Sequence, residues 1–522
     1  YVQADGLQTI GYDHGDYNVV TNYVKGNNSY TVFAGANYSH VDGTETWNNE
    51  NYQFTQSLFD RESYSKNSYR NHQEYMQFRY QNQKGKRYWV GKFTLVNLST
   101  PRNASSGFAK ESTETDVFSN IRKKSLSPKI DLNANLPLSK NQTLTLGVHG
   151  KYSANSYHRL YQEQPFETMT DEDEKALSFQ LSAIYNYFSQ KHSLSMELFH
   201  YHDVWNADYS GNCELWQHLW KGESLAFFSY NFQASRRLSL KTRIGLDWLQ
   251  YHLHGDNSFS QLSPRINTNV QYQLNKGMLL WSFNFVNSNH GMDVINRAMI
   301  QVNSHMMEKG MPELKKSHDI NTYLYYMGRF NRLSVSAIGQ FRYNHHPVTD
   351  DYYLDEANGK IVKTYSNGGN AQYYSAILAL QYKLCKFANL SGDIRYNHAE
   401  VKTTWSKHNN NLTGNLGLNM FMGDFALKPY LHFGKKSLDE AALVISKTPI
   451  DYGMSCSYSR GNLYVELQAA SPFKKQEKQY WLDLPIYSYS KSIKDQTASQ
   501  YASIKVAYSF DFGRKTQKVE KD

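Results

Sequence analysis

Two short stretches of this chain carry histidines at the spacing of a metal-binding pair. "FHYHDVW" (199–205) sets His200 and His202 two apart, on one face of an extended strand, and neutral imidazole is the commonest metal ligand. "YNHHPVTDDYY" (343–353) adds His345 and His346 next to two carboxylates, and "SHMMEKGM" (304–311) mixes histidine with thioethers, donors that suit haem or copper. None of these stretches brings a third ligand at a fixed spacing, so they read as interfacial or loop histidines, and no metal or cofactor is assigned. The acidic run "TDEDEK" (170–175) lacks the spaced ligands and glycine of a calcium loop. No serine sits in a G-x-S-x-G elbow, so no catalytic residue is assigned and the chain is not read as an enzyme. Cys213, Cys385 and Cys456 are too widely spaced for a zinc site or a disulfide framework. Trp205, Trp216 and Trp220 gather near Cys213 in a stretch read as a loop, where aromatic faces can stack on sugars or other flat ligands. Together with His345 and His346 they are the candidate substrate contacts.

Any such residues must be positioned by strands. The chain has 522 residues with 42 Tyr, 26 Phe and 9 Trp, yet only 40% of it is hydrophobic. Disordered chains are poor in aromatics, which excludes disorder. No stretch approaches 18 consecutive apolar residues, which excludes a membrane-spanning helix but not a membrane barrel, whose strands are apolar only on alternate residues. The net charge of +9 is scattered without a basic stripe or motif, so no nucleic-acid partner is expected. Period-two alternation recurs throughout. In 238–248, Leu238, Leu240, Ile244, Leu246 and Trp248 oppose Ser239, Lys241, Arg243 and Asp247, and the stretch 502–512 alternates without a break through Ile504, Val506, Tyr508, Phe510 and Phe512.

The connections are of two alternating kinds. Ten short polar turns, among them "KGNN" (25–28), "QKGK" (83–86), "NKG" (275–277) and "SRG" (459–461), separate long irregular stretches at 41–68, 99–112, 156–174, 204–222, 290–318, 344–370 and 471–500. Ten hairpins, a closing strand at 503–512 and a first strand within 1–12 make twenty-two strands. Short turns at one end and long loops at the other describe a transmembrane β-barrel with its turns in the periplasm. Strands of about 9–11 residues fit a tilted membrane crossing. The expected fold is therefore all-β: a 22-stranded antiparallel transmembrane barrel over 1–512, with long extracellular loops and a charged periplasmic tail at 513–522. An even count lets the last strand pair with the first, which removes both sheet edges. Tyrosine suits the interfacial girdles of such a barrel.

The segments "YGMSCSYSRGNLYVELQAASPF" and "ASIKVAYSFDFGRK" resemble the C-terminal strands of TonB-dependent receptors, especially the outer-membrane barrel families of Bacteroidota. "EKGMPELKKSHDINTYLYY" (308–326) is similar to their "GNPxLKPE" signature: Gly310, Pro312, Leu314 and Lys315 match, while Met311 stands where Asn is usual and Lys316 where Pro is usual. The resemblance implies a Gram-negative outer-membrane transporter that captures a scarce solute, with TonB acting through a plug domain. No plug lies in this chain; it is expected in a part of the protein not included here. The substrate is not specified, and a surface lipoprotein over the loops is left open. A plugless passive channel and a surface adhesion barrel are the alternatives.

Overall fold

The computed structural model describes residues 1–55, 57–256, 258–288, 290–495 and 499–510. The first strand, Val2–Ile10, pairs on one side with Asp13–Lys25 and on the other with the last, Tyr501–Phe510. Between them each wall strand pairs antiparallel with the next in the chain, so twenty-two strands close into a barrel. All ten expected turns join wall strands. In four of them Gly26, Gly85, Gly423 and Gly461 hold φ between 58° and 63°, a left-handed geometry that glycine adopts without a Cβ penalty. Phe512 and the expected tail at 513–522 lie outside the described residues.

The alternation settles which face is wet. Leu198, Leu262, Ile394 and Leu412 are 59%, 62%, 61% and 68% exposed on the outside of the wall. Ile504, Val506, Tyr508 and Phe510 share that face on the closing strand. Between them the inward positions are polar: Gln77 donates to Thr94 at 3.1 Å, and Ser127 and Ser153 lie 3.2 Å apart. A wall that is apolar outside and polar inside is the reverse of a soluble barrel and matches a lipid-embedded one.

Two expectations are corrected. The wall strands are not uniformly 9–11 residues: they run from 8 in Phe425–His432 to 27 in Leu58–Lys84. The stretches 41–68, 99–112, 156–174 and 204–222 are mostly strand rather than irregular loop, because polar residues that alternate on both faces can continue the ladder in water. At about 3.4 Å per residue, 27 residues extend roughly 90 Å along the strand, so the wall continues well beyond the bilayer. The stretch 471–500 likewise contains strands Gln476–Asp483 and Tyr487–Asp495, the second pairing with the far end of Asn28–Gln53.

The segments 290–316 and 346–369 do not continue the wall. They hold a one-turn helix, Met292–Ile295, and four short strands in the order Met299–Gln301, Met306–Lys309, Lys360–Ser366 and Thr349–Asp355. Met306–Glu308 pairs parallel with Ile361–Lys363, tying one segment to the other. The two large apolar clusters form where these segments meet the wall. Met292, Ile295, Ala298 and Leu314 pack on Ala207, Tyr209, Leu219 and Leu253. Met306, Tyr352 and Ile361 pack on Tyr52, Val401, Leu443, Leu482 and Tyr487.

Candidate functional site

The contacts of these two segments lie all around the wall, so they form a cap across the barrel mouth. Arg159 donates to the carbonyl oxygens of Gln301 and Val302 at 2.8 and 2.5 Å. Asn303 donates to the Tyr52 hydroxyl at 3.3 Å, Ser304 to Glu163 at 3.1 Å, and His305 lies 2.8 Å from Glu111. On the far side the Arg297 backbone N–H donates to Gln217 at 3.1 Å. In the second segment the Asp350 N–H donates to the Ala441 carbonyl at 2.7 Å, and Trp405 donates its indole N–H to Asp351 at 2.8 Å. Beside it, the side chains of Arg342 and Glu440 form an ion pair.

Two buried charge clusters lie where the cap meets the wall: the cap bonds to the first through Ser304 and Asn303 and supplies Lys316 to the second. In the first, Arg61 donates to Glu50 at 3.1 Å, to Glu163 at 2.7 Å and to the Tyr161 hydroxyl at 3.0 Å. Tyr487 and Tyr52 donate to Glu50 at 2.6 and 3.0 Å. Glu50 and Arg61 face each other on consecutive strands, while Glu163 and Tyr487 come from strands far away in the chain, and alternation turns the wall residues inward. In the second, Asp247 accepts from Arg265 at 2.7 and 3.0 Å and from Lys316 at 2.9 Å, and Arg265 also reaches Glu223 at 3.1 Å. The Asp247 and Lys316 side chains are fully buried (0% exposed). Buried charges persist only when paired and hydrogen-bonded, so Lys316 is fixed where the cap returns to the wall. Lys241, Arg243 and Asp247 share the inner face as the alternation indicates; Arg243 meets Glu197 at 2.5 Å. Asp247, however, is dry rather than bathed by the lumen.

Within the cap, Asp350 and Lys363 stand 3.3 Å apart, with Glu308 at 3.3 Å from the same ammonium. Burial raises the Asp350 pKa, and Lys363 only partly opposes it. Burial also works against the Lys363 charge, but Asp350 and Glu308 outweigh it and hold that pKa above its usual value.

The signature residues lie in this cap. A Cβ on Gly310 would meet the Asn296 carbonyl oxygen at 2.3 Å and its nitrogen at 2.7 Å, so only glycine lets the two backbones close. Leu314 is 3% exposed among the apolar side chains. Tyr251 donates to the Pro312 carbonyl at 3.4 Å, and the Lys315 carbonyl accepts from Asn367 and lies 2.8 Å from the His290 ring nitrogen.

The candidate contacts fall elsewhere. Trp205, Trp216 and Trp220 lie on strands His192–Gly211 and Leu215–Gln233, not in a loop. Trp205 faces inward against the Leu219 and Leu253 cluster, whereas Trp216 and Trp220 stand on the outer wall. His200 and His202 do share a face, the outer one; His200 lies 2.9 Å from Ser224 and the His202 ring meets Trp220 edge-on at 5.5 Å. His345 ends the strand Leu333–His345, and the His346 ring contacts it at 3.9 Å while bonding the Asn367 carbonyl. The structure therefore does not bring these five residues together. Among the described residues, no three His, Cys, Asp or Glu side chains are grouped to hold a metal ion. Sequence reasoning placed Asp247 on the polar face without its partners, and it missed Arg61, Glu50 and Glu163, which fall in stretches read as irregular loop.

On the inner face of the wall beside Arg159, a cavity of about 470 Å³ is lined by Asn71, Thr100, Lys123, Ser125, Asn155, Tyr157 and two acids, Glu172 and Glu174. Asn155 joins Ser125 and Glu174 at 2.6 Å each, and the Lys123 ammonium lies 5.3 Å from the Tyr157 ring centre.

No protein-family model matches the chain, and no curated protein matches it. Solved structures do. The copper transporter OprC superposes with a TM-score of 0.67 at 11% identity, over 98% of this chain and 80% of that one. The siderophore receptor PiuA from Acinetobacter baumannii gives 0.63 at 10% identity, and the FrpB iron transporter from Neisseria meningitidis 0.61 at 8%, each over 97% of this chain and 81% of the other. At such identities the likeness establishes the fold. A closed 22-strand barrel with an apolar belt is a membrane-embedded wall, and its fold is that of Gram-negative outer-membrane barrels: the chain resides in the outer membrane.

Proposed function

We propose that the chain is the barrel of a TonB-dependent outer-membrane transporter, which binds a solute at its outer mouth and passes it to the periplasm through a gated lumen. The observation that carries this reading is the cap: two segments folded into the mouth, the first pinned to the wall by the fully buried Asp247–Lys316 pair. A passive pore gains nothing from closing its own entrance with dry ion pairs, whereas a transporter needs a seat that yields only when energy is applied. The neighbouring folds include a copper transporter and a siderophore receptor, which supports uptake and not catalysis as the role of this wall. The signature at Gly310, Pro312, Leu314 and Lys315 supports the same family. In this reading TonB acts through a plug domain, 1–512 is the barrel, and the charged residues 513–522 hang in the periplasm. The cavity at Lys123, Tyr157 and Asn155 is the inner solute contact, with Trp205 the inward-facing member of the tryptophan group. Trp216 and Trp220, with His345, are outer-wall contacts for a partner at the rim, a surface lipoprotein among them.

The test is conductance of the barrel chain, residues 1–522, in planar bilayers, before and after excision of 290–316. The expected result is a closed barrel that becomes a wide ohmic channel once the cap is removed. Steady large conductance that does not change on excision would make the chain a passive channel instead. The intact mass of the polypeptide extracted from outer membranes tests the plug separately: a mass above 60.5 kDa by at least a domain supports it.

A further inference from the structure

On the outer face of the wall two imidazoles point their nitrogens at each other. His40 lies on strand Asn28–Gln53 and His72 on Leu58–Lys84, and their Nε2 atoms stand 3.4 Å apart with the rings crossing at 67°. The register places them there. Alternation from the exposed Met76 through Glu74 turns His72 outward; His72 sits opposite Tyr38, and His40 is two positions further along that face. His40 is held from two sides: its Nδ1 lies 2.8 Å from the Asp13 carboxylate on the neighbouring strand, and the Tyr38 ring packs against it at 5.3 Å. A carboxylate only accepts, so Nδ1 of the neutral ring carries the proton and Nε2 is left with a bare lone pair aimed at His72. An N–H from His72 would satisfy that lone pair poorly, since such hydrogen bonds prefer about 2.7–3.2 Å. Two imidazole nitrogens bound at about 2.0–2.1 Å to one tetrahedral ion, by contrast, stand roughly 3.3–3.4 Å apart. The nearest fixed cation, Arg70, sits opposite His40 but reaches toward Asp42 at 3.7 Å.

We propose that His40 and His72 chelate a divalent transition-metal ion of the zinc class, with Asp13 as the carboxylate behind the first ligand. Imidazole nitrogens suit such ions. The protein supplies two donors and water completes the tetrahedron, so the site does not need a third grouped side chain. Asp13 fixes the tautomer and the ring orientation of His40 and makes its Nε2 more basic, as a carboxylate does behind a metal-bound histidine. The site lies at a seam in the wall. Strand Asp13–Lys25 begins directly opposite His40, and from Glu45 onward Asn28–Gln53 has Tyr487–Asp495 as its partner instead. An ion bound there ties two wall strands together where one neighbour gives way to the next, and it stabilises the folded barrel because it binds that state alone. The pair is on the outside of the wall, away from the lumen, and its role does not depend on the transport reading.

The test is titration of the untagged chain, residues 1–522, in detergent with zinc chloride at neutral pH, followed by calorimetry and by the thermal melt of the barrel. The parent is expected to bind one ion per chain and to melt higher with zinc, an effect that a chelator reverses. His40→Gln and His72→Gln are each expected to abolish that binding and the rise in melt. Asp13→Asn keeps both ligands and is expected to weaken binding roughly ten- to a hundredfold. The control combines His200→Gln and His202→Gln, which share the outer face but hold their ring centres 6.2 Å apart, and it is expected to bind as the parent does. The metal-free melts check that every variant folds. A parent that binds no zinc would overturn the proposal and leave the pair as a hydrogen-bonded contact. Unchanged binding in His40→Gln and His72→Gln would also overturn it, as would equal loss in the control, since scattered histidines would then be responsible. Asp13→Asn binding as tightly as the parent would refute the role given to the carboxylate.

Discussion

Replacing Asp247 by asparagine tests the cap most directly. In the folded protein its carboxylate receives Lys316 at 2.9 Å and Arg265 at 2.7 and 3.0 Å; Asp247 and Lys316 are fully buried and Arg265 is 21% exposed. Asparagine keeps the shape and removes the charge, leaving two cations facing each other in a dry site. Removing one partner of a buried ion pair costs about 3–5 kcal/mol, because the remaining charge is uncompensated. Lys316 belongs to the cap and can leave for water, so the strain is relieved by unseating the segment while the wall stays closed. At about 4 kcal/mol the ratio of seated to unseated forms falls roughly a thousandfold. Lys316→Met is the informative companion: Asp247 keeps Arg265, only the cap's own hydrogen-bonded charge is lost, and the expected cost is about 1.5–3 kcal/mol. Trypsin cleavage after Lys309 and Lys315 in the full-length protein reads the unseated fraction, with the thermal melt of the barrel as a check on the wall. Cleavage of Asp247→Asn at the parental rate would refute the reasoning, and so would Lys316→Met releasing the segment more readily than Asp247→Asn.

The remaining expectations concern the same mouth. Gly310→Ala forces a methyl to within 2.3 Å of the Asn296 carbonyl, so the cap shifts at a cost of about 1–3 kcal/mol, visible as faster proteolysis with an unchanged barrel melt. Leu314→Ala opens a void in the apolar cluster and costs about 2–5 kcal/mol, measured in the same way. The pKa of Lys363 is raised, so its contribution to cap stability is fully present below pH 10.5 and is lost as the pH climbs through the raised value. Lys363→Met is therefore expected to loosen the cap at neutral pH and to abolish an alkaline opening step, followed by cleavage of 346–369 against pH. Arg61→Met leaves Glu50 and Glu163 buried without their counter-ion. Its effect belongs to the wall as well as the cap, so the barrel melt itself should fall.

Alternation and turn chemistry determined the wall. Strict period two sends Leu238, Leu240, Ile244 and Leu246 to one face and Arg243 and Asp247 to the other, whatever the rest of the chain does. Glycine in a tight polar turn forces a hairpin locally. Those rules act over a few residues, so twenty-two strands, their closure and the lipid-facing side of the last strand were all legible. The length of the strands was not: polar residues such as those of 41–68 read as loop, and only the ladder with their neighbours makes them strand. The cap was hidden for a similar reason. Asp247 and Lys316 lie 69 positions apart, and Arg61 and Glu163 lie 102 apart, so no spacing rule connects them. The departure at Lys316, where the signature usually has proline, was visible in the sequence. Its meaning depended on the one partner able to hold a buried lysine, and only closure of the barrel brings that partner within reach.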